Sequence, residues 1–263
     1  MARKKLQGQV AIITGSSRGL GLAAAEQLIQ AGATVVLTAR SADQVAAAAS
    51  RLGERALGIP ADVSDWEQVG QLVDETLQRF RRIDILINNA ALVWPVDEVA
   101  ESDPEEWAYN IHVNLIGPYY LAHAVLPTMQ EQGYGRIVNV SSGLSHIPYA
   151  GLSAYGAAKA GLDQLTRVLA LEVANSGITV NALYPGILDT DMQADLRSVD
   201  TEDSVLNLSM FHEAHEGGTL VAPSQAARLL YWLVGSWSRQ HNGEIFTSRD
   251  QAWLAQVERD LNA

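Results

Sequence analysis

One apolar run that turns through glycines into a helix constrains this chain more than any other feature. Val10–Thr14 (VAIIT) is β-rich and strand-length. It leads without a linker into Gly15-Ser16-Ser17-Arg18-Gly19-Leu20-Gly21. LAAAEQLIQAG follows, an apolar-periodic helix closed by Gly32. Strand, glycine turn and helix form the first half of a βαβ unit, which implies a parallel sheet. Glycines let the backbone approach a pyrophosphate whose charge then rests at the helix N-terminus. The spacing is G-x-x-x-G-x-G, not G-x-G-x-x-G, so this turn alone leaves nucleotide binding and a plain tight turn as competing readings.

The alternation continues along the chain. Strands are expected at Thr34–Thr38, Arg55–Ile59, Ile83–Ile87, Arg136–Ser141, Ile178–Leu183 and Glu244–Thr247. Helices are expected over residues 41–53, 65–81, 103–132 (interrupted at Gly117-Pro118), 153–176, 223–235 and 250–261. Residues 185–218 read as irregular and polar, too long for a connector, and suit a mobile lid over a site, placed at about 187–220. No repeat or low-complexity linker divides the chain. At 263 residues with 48% hydrophobic content, one α/β domain spanning 1–263 accounts for it, a doubly wound, mostly parallel seven-stranded sheet with helices on both faces.

Charge and composition remove several function classes. Thirty acidic against 18 basic residues give a formal charge of −12, which disfavours nucleic acid as a partner. There is no cysteine, hence no disulfide, thiolate ligand or cysteine nucleophile, and the six histidines form no ligand motif, so no metal is expected. The basic stretch MARKKLQGQ precedes no signal-peptide core, and no run nears the ~20 apolar residues of a membrane span. The expectation is a soluble, cytoplasmic protein with a small-molecule substrate and no membrane association.

The end of the second strand bears on the cofactor. An NAD site is expected to place a carboxylate there for the ribose hydroxyls, but Ala39 and then Arg40 occupy it. Arg18 in the glycine turn supplies a second guanidinium, and the planar fork of arginine suits a 2′-phosphate. These residues point to NADP(H). Asp62-Val63 follows the third strand, where nucleotide rings bind, and Asn88-Asn89-Ala90-Ala91 follows the fourth, where amides can tie strand ends together.

The chemistry concentrates in Ser141–Lys159 (SSGLSHIPYAGLSAYGAAK). Tyr155 and Lys159 stand four apart on an expected helix, hence on one face, with Ser142 thirteen residues before the tyrosine. An ammonium beside a phenol favours phenolate, so the tyrosine pKa is expected to fall from about 10 toward the working pH. A lone Tyr-x-x-x-Lys is more often a half-buried tyrosine with a lysine running past it.

Taken in order, these motifs resemble the short-chain dehydrogenase/reductase family over nearly the whole chain. Thr14-Gly15-(x3)-Gly19-Leu20-Gly21 is similar to its T-G-x3-G-x-G turn, and Asn88-Asn89-Ala90-Ala91 to its N-N-A-G. Asn114 falls at its catalytic asparagine, Ser142, Tyr155 and Lys159 at its S–Y-x-x-x-K set, and Pro185-Gly186 with Thr190 at its P-G-x-x-x-T segment. The resemblance implies a Rossmann-type fold and an NADP(H)-dependent oxidoreductase that moves a hydride between nicotinamide and a carbonyl or secondary alcohol. It implies that Tyr155 exchanges the proton, Lys159 tunes it and binds ribose, Ser142 holds the carbonyl, and Asn114 holds a water linking Lys159 to solvent. It also implies cofactor contacts from Gly15, Ser17, Arg18, Gly19, Leu20, Gly21 and Arg40. Further contacts would come from Asp62 and Val63 at the adenine, Asn89 and Ala90 at its ribose, and Tyr155, Lys159, Pro185, Gly186, Leu188 and Thr190 at the nicotinamide end. A homodimer or homotetramer through the helices at 103–132 and 153–176 is implied as well.

Two departures stand out: Ala91 replaces the last glycine of N-N-A-G, and NGEIFTSRDQAW lacks the family's V-D-G-G ending. Trp94, Leu144, Tyr149, Met192 and Phe211, with His146 and His212, are the expected lining of an aromatic and mostly apolar substrate pocket. A 3-oxoacyl-(acyl-carrier-protein) reductase is the alternative, although Met129–Tyr134 and Glu172–Gly177 offer that acidic carrier no Lys or Arg. A nicotinamide-binding regulator with vestigial activity is the alternative from another class, against which the intact Ser–Tyr–Lys–Asn set speaks.

Overall fold

The computed structural model describes residues 5–199 and 205–263. The remainder of the basic N-terminal stretch and residues 200–204 of the expected lid lie outside the described residues. Within them the strands β1 (Val10–Thr14), β2 (Thr34–Thr38), β3 (Ala56–Gly58), β4 (Ile85–Asn88), β5 (Gly135–Val140), β6 (Ile178–Tyr184) and β7 (Ile245–Thr247) form one sheet. Its order is β3-β2-β1-β4-β5-β6-β7, with every ladder parallel. The order reverses between β1 and β4, and the crevice beyond their carboxyl ends is where such a sheet accepts ligands.

Continuous apolar strands make sense here because both faces are covered. Ala11 and Ile13 of β1, with Ile85 and Ile87 of β4, pack on one face against α1 (Gly19–Gln30), α2 (Ala42–Leu52), α9 (Pro223–Val234) and α10 (Gln251–Asn262). Ile12 and Leu86 point the other way, toward α3 (Trp66–Phe80), α5 (Gly117–Gln132) and α6 (Ser153–Glu172). The period-2 alternation survives, with apolar residues at both phases.

Three expectations need correction. The chain does not break at Gly117-Pro118. Helix α4 (Pro104–Ile111) passes through a single π-type turn, His112–Ile116, directly into α5, and Pro118, which has no N–H to donate back into that turn, follows it. Gly117 is there for space, since a Cβ would lie 2.9 Å from the Val63 carbonyl. Helix α6 ends at Glu172 instead of Ser176, and Asn175 and Gly177 take positive φ on the way to β6. The segment read as irregular contains α7 (Asp191–Arg197) and α8 (Ser209–Glu216), whose apolar faces join a third, separate cluster with Val93, Leu152 and Phe211. The two ends of this cap segment are joined by a parallel bridge between Leu188 and Val221, with Val221 N–H donating to the Ile187 carbonyl at 2.8 Å.

Candidate active site

The nucleotide half of the cleft is made by backbone approach. Gly15 has φ +60°, and a Cβ there would sit 2.7 Å from Ala90 Cα. A Cβ on Gly21 would lie 2.4 Å from the Gly15 carbonyl oxygen, so Gly21 supports the turn from behind instead of lining the cleft. Asn89 Nδ2 donates to the carbonyls of Thr14 (2.9 Å) and Gly15 (3.0 Å), while Thr14 Oγ1 accepts from the amides of Asn89 and Ala90. These bonds lock the ends of β1 and β4 together where the strand order reverses. Helix α1 carries no side-chain cap, and its first residues Gly19 and Leu20 line the cleft, leaving amides for an anion. The cradle fits a dinucleotide pyrophosphate.

Ser17, Arg18 and Arg40 line the same cleft, but the two guanidiniums are held by different partners. Arg18 Nη1 pairs with Asp191 Oδ2 at 2.6 Å, linking the glycine turn to the first residue of α7. Arg40 Nη1 donates to the Tyr109 hydroxyl (3.1 Å), which donates to Asp62 Oδ2 (3.0 Å). Burial pushes the Asp62 carboxyl up, but bonds from the Ser64 hydroxyl and amide, then Tyr109 and the Arg40 charge, carry it below its usual value. Val63, Asn89 and Ala90 line the cleft beside it, and Pro185, Gly186, Leu188 and Thr190 line its far end.

Tyr155 and Lys159 project from α6 on one face, and the Lys159 Nζ lies 5.5 Å from the tyrosine ring centroid. Lys159 is buried, and its Nζ donates to the Val140 carbonyl at 2.9 Å. Ser142 sits at the carboxyl end of β5 with its Oγ accepting from the Leu144 amide. The expected fall in the tyrosine pKa does not occur. Burial pushes Tyr155 up to about 12, a rise that the Ser142 hydroxyl only partly offsets. Burial likewise brings Lys159 down to about 8, against the opposing charge of Asp163. Desolvation disfavours both charged forms and outweighs what Ser142 and Asp163 contribute against it.

The cleft has a volume of about 1380 Å³ and runs from Arg40 past Tyr155 to the cap segment. Leu144, Tyr149, Met192 and Phe211 line its apolar end, with the Tyr149 and Phe211 rings 6.2 Å apart. His146 lines it as well, and His212 does not. Trp94 is a correction. Asn110 Nδ2 holds its carbonyl at 2.6 Å, and its side chain lines a separate cavity of about 330 Å³ with Leu92, Glu106 and Tyr109. Asn114 stands behind the wall, fully buried in the π-type turn. Its amide donates to the Leu92 carbonyl (2.6 Å) and to Asn110 Oδ1 (2.8 Å).

Sequence reasoning missed Tyr109, Asp191 and the group Asp163–Tyr184–Ser145, in which Asp163 is buried and Tyr184 lines the cleft. Asp163 had a signal, since it stands four residues after Lys159 on the same helix face. Tyr109 had none, because only the tertiary fold brings α4 over Asp62.

A family model described as short chain dehydrogenase matches residues 9–201. The chain belongs to that family. Relatives include a 3-oxoacyl-[acyl-carrier-protein] reductase of Vibrio harveyi, 35% identical over 91% of this chain and 95% of that protein. A D-beta-hydroxybutyrate dehydrogenase of Rhizobium meliloti is 34% identical over 94% of this chain and 99% of its own. Among solved structures, a 3-ketoacyl-(acyl-carrier-protein) reductase from Brucella melitensis complexed with NADH superposes with TM-score 0.82. It is 28% identical, over 92% of this chain and 97% of that one. As a short-chain dehydrogenase the protein is an oxidoreductase acting on alcohol or ketone groups with a nicotinamide cofactor. No helix among the described residues is long and apolar enough to cross a membrane.

Proposed function

We propose that this short-chain dehydrogenase uses NADP(H) to interconvert a carbonyl and a secondary alcohol on a small, largely apolar substrate. The observation that carries the reading is one cleft with Arg40 at one end, an apolar cap at the other, and Tyr155, Lys159 and Ser142 between them. The bound nicotinamide supplies or accepts the hydride. In reduction, Tyr155 gives its phenolic proton to the substrate oxygen while Ser142 Oγ donates a hydrogen bond to that oxygen. Lys159 uses one of its three N–H donors on the Val140 carbonyl, which leaves two for ribose hydroxyls and its charge for the phenolate formed. Asn114 is assigned a water that connects Lys159 with solvent. Arg40, with Arg18 on release from Asp191, takes the 2′-phosphate.

Supporting the apolar substrate are Leu144, Tyr149, Met192 and Phe211 around the reacting centre. The reductase relatives favour a second reading, a 3-oxoacyl thioester, against which stands the absence of Lys and Arg from Met129–Tyr134 and Glu172–Gly177. Exposed Tyr119 on α5, with Val168 and Leu171 on α6, supports a homodimer or homotetramer through these helices, which light scattering will test. The deciding experiment is NADPH and NADH oxidation with ketones, diketones and 3-oxoacyl thioesters, repeated with Arg40→Asp. Loss of about 10- to 100-fold in NADPH affinity relative to NADH is expected from a charge-assisted phosphate bond. An unchanged preference removes the NADP(H) assignment.

A further inference from the structure

Beneath the proton-transfer pair lies a second polar group that the reaction as described does not use. Asp163 follows Lys159 by one helical turn on α6 and is 4% exposed. The Tyr184 hydroxyl at the end of β6 donates to its Oδ2, while its Oδ1 is buried with no hydrogen-bond partner among the described residues. Ser145 Oγ lies 2.7 Å from the same Tyr184 hydroxyl, and the His146 ring stacks on Tyr184 with centroids 5.6 Å apart. A buried carboxylate is costly unless paired, and two hydroxyls arranged in series toward one of its oxygens are an elaborate support for a merely structural group.

We propose that Asp163 is a positioning residue for the proton-transfer pair: held by Tyr184 and facing Lys159 across one helical turn, it keeps that lysine an ammonium inside a dehydrated site. The inference rests on the reading that Tyr155 and Lys159 carry the proton. Helix α6 also bears Tyr155, Arg167 and Glu172, β6 bears Tyr184, and the turn after Ser142 bears His146. Helix α4 and the π-type turn packed on α6 carry Glu105, Glu106, Tyr109 and His112. Among these groups, Asp163 is the one whose charge opposes the effect of burial on Lys159. The unpartnered oxygen has a use in this scheme, because it leaves part of the carboxylate's charge uncommitted one helical turn from the ammonium.

The test is the pH profile of NADPH-dependent turnover for the wild type, Asp163→Asn, Tyr184→Phe and Tyr155→Phe, on whichever substrate the panel identifies. Wild-type activity should decline on the basic side as Lys159 loses its proton near 8. In Asp163→Asn that decline should move at least one pH unit lower, giving about tenfold less turnover at pH 8.5 to 9 and little change at pH 6. Tyr184→Phe keeps the carboxylate but removes the bond that holds it, and should move the decline in the same direction by less than Asp163→Asn does. If Asp163→Asn fails to fold, the double variant Asp163→Leu/Tyr184→Phe replaces both partners with apolar groups, and the same shift is expected. A folded Asp163 variant with the wild-type profile overturns the inference, as does a Tyr184→Phe shift as large as that of Asp163→Asn. Either result leaves the proposed function standing if Tyr155→Phe is inactive. Full activity in Tyr155→Phe removes that reading first.

Discussion

The two ends of the cleft are built by opposite means. At the nucleotide end, glycines, amides and one threonine hydroxyl place backbone against backbone, and Gly15, Gly21 and Asn89 meet within about van der Waals contact. At the substrate end, side chains make the wall, and Phe211, Tyr149 and Leu144 belong to a small apolar cluster separate from both faces of the sheet. The first end tolerates almost no change of residue because its contacts are made by atoms that every residue shares. The second can be rewritten one side chain at a time, as expected where relatives with different activities share one scaffold.

That contrast can be attacked from the chemistry outward. Tyr155→Phe sits where the two ends meet and should have the largest effect. We expect turnover to fall by about 10² to 10⁴, the usual worth of a positioned acid, with NADPH binding by fluorescence within about twofold of wild type. Next is Gly21→Ala, whose new Cβ would be 2.4 Å from a backbone oxygen. Overpacking against atoms that cannot turn aside should cost about 1–3 kcal/mol in denaturant unfolding, and cofactor affinity should fall with it. Phe211→Ala should do the reverse, raising the substrate KM about tenfold while leaving cofactor affinity alone. If Phe211→Ala weakened NADPH as strongly as Gly21→Ala does, the two ends would not be separable.

A last test sharpens the comparison through pH. Lys159 is brought down from 10.5 to about 8 in the fold, so between those values the unfolded chain holds a proton that the folded one has lost. Stability therefore rises with pH across that window, and below 8 the full cost of the buried ammonium remains. Tyr155, raised from 10 to about 12, acts in the opposite sense, its contribution being present below 10 and lost by 12. In cofactor-free protein, Lys159→Met should gain on the order of 3 kcal/mol over wild type at pH 7, before any loss of packing. Thermal melting should show that gain shrinking toward zero near pH 10.5.

How much was legible in the sequence follows the same division. The glycine turn, the alternation of strands and helices and the Ser142–Tyr155–Lys159 set could be read because each depends on local spacing: a turn, a change of period, a step of four. The cap helices were read as irregular because their apolar residues serve a cluster completed by Val93, Val96 and Leu152, distant in sequence. Trp94 was misplaced for the same reason. Its side chain follows a carbonyl fixed by Asn110, a residue of another element. The tyrosine pKa was read from its charged neighbour alone, whereas the fold adds desolvation, which no spacing displays.

The π-type turn at His112–Ile116 carries a consequence of its own. An α-helix advances about 100° per residue, so one surplus residue acts as a phase shifter between α4 and α5. Deleting a residue from that turn would give a more regular helix with better hydrogen bonding. It would also rotate α5 about its axis relative to α4 and shift Asn114, which the turn itself carries, out of step with Asn110 at the Leu92 carbonyl. In this segment local helical order and the geometry of the cleft are set against each other, and the cleft has prevailed.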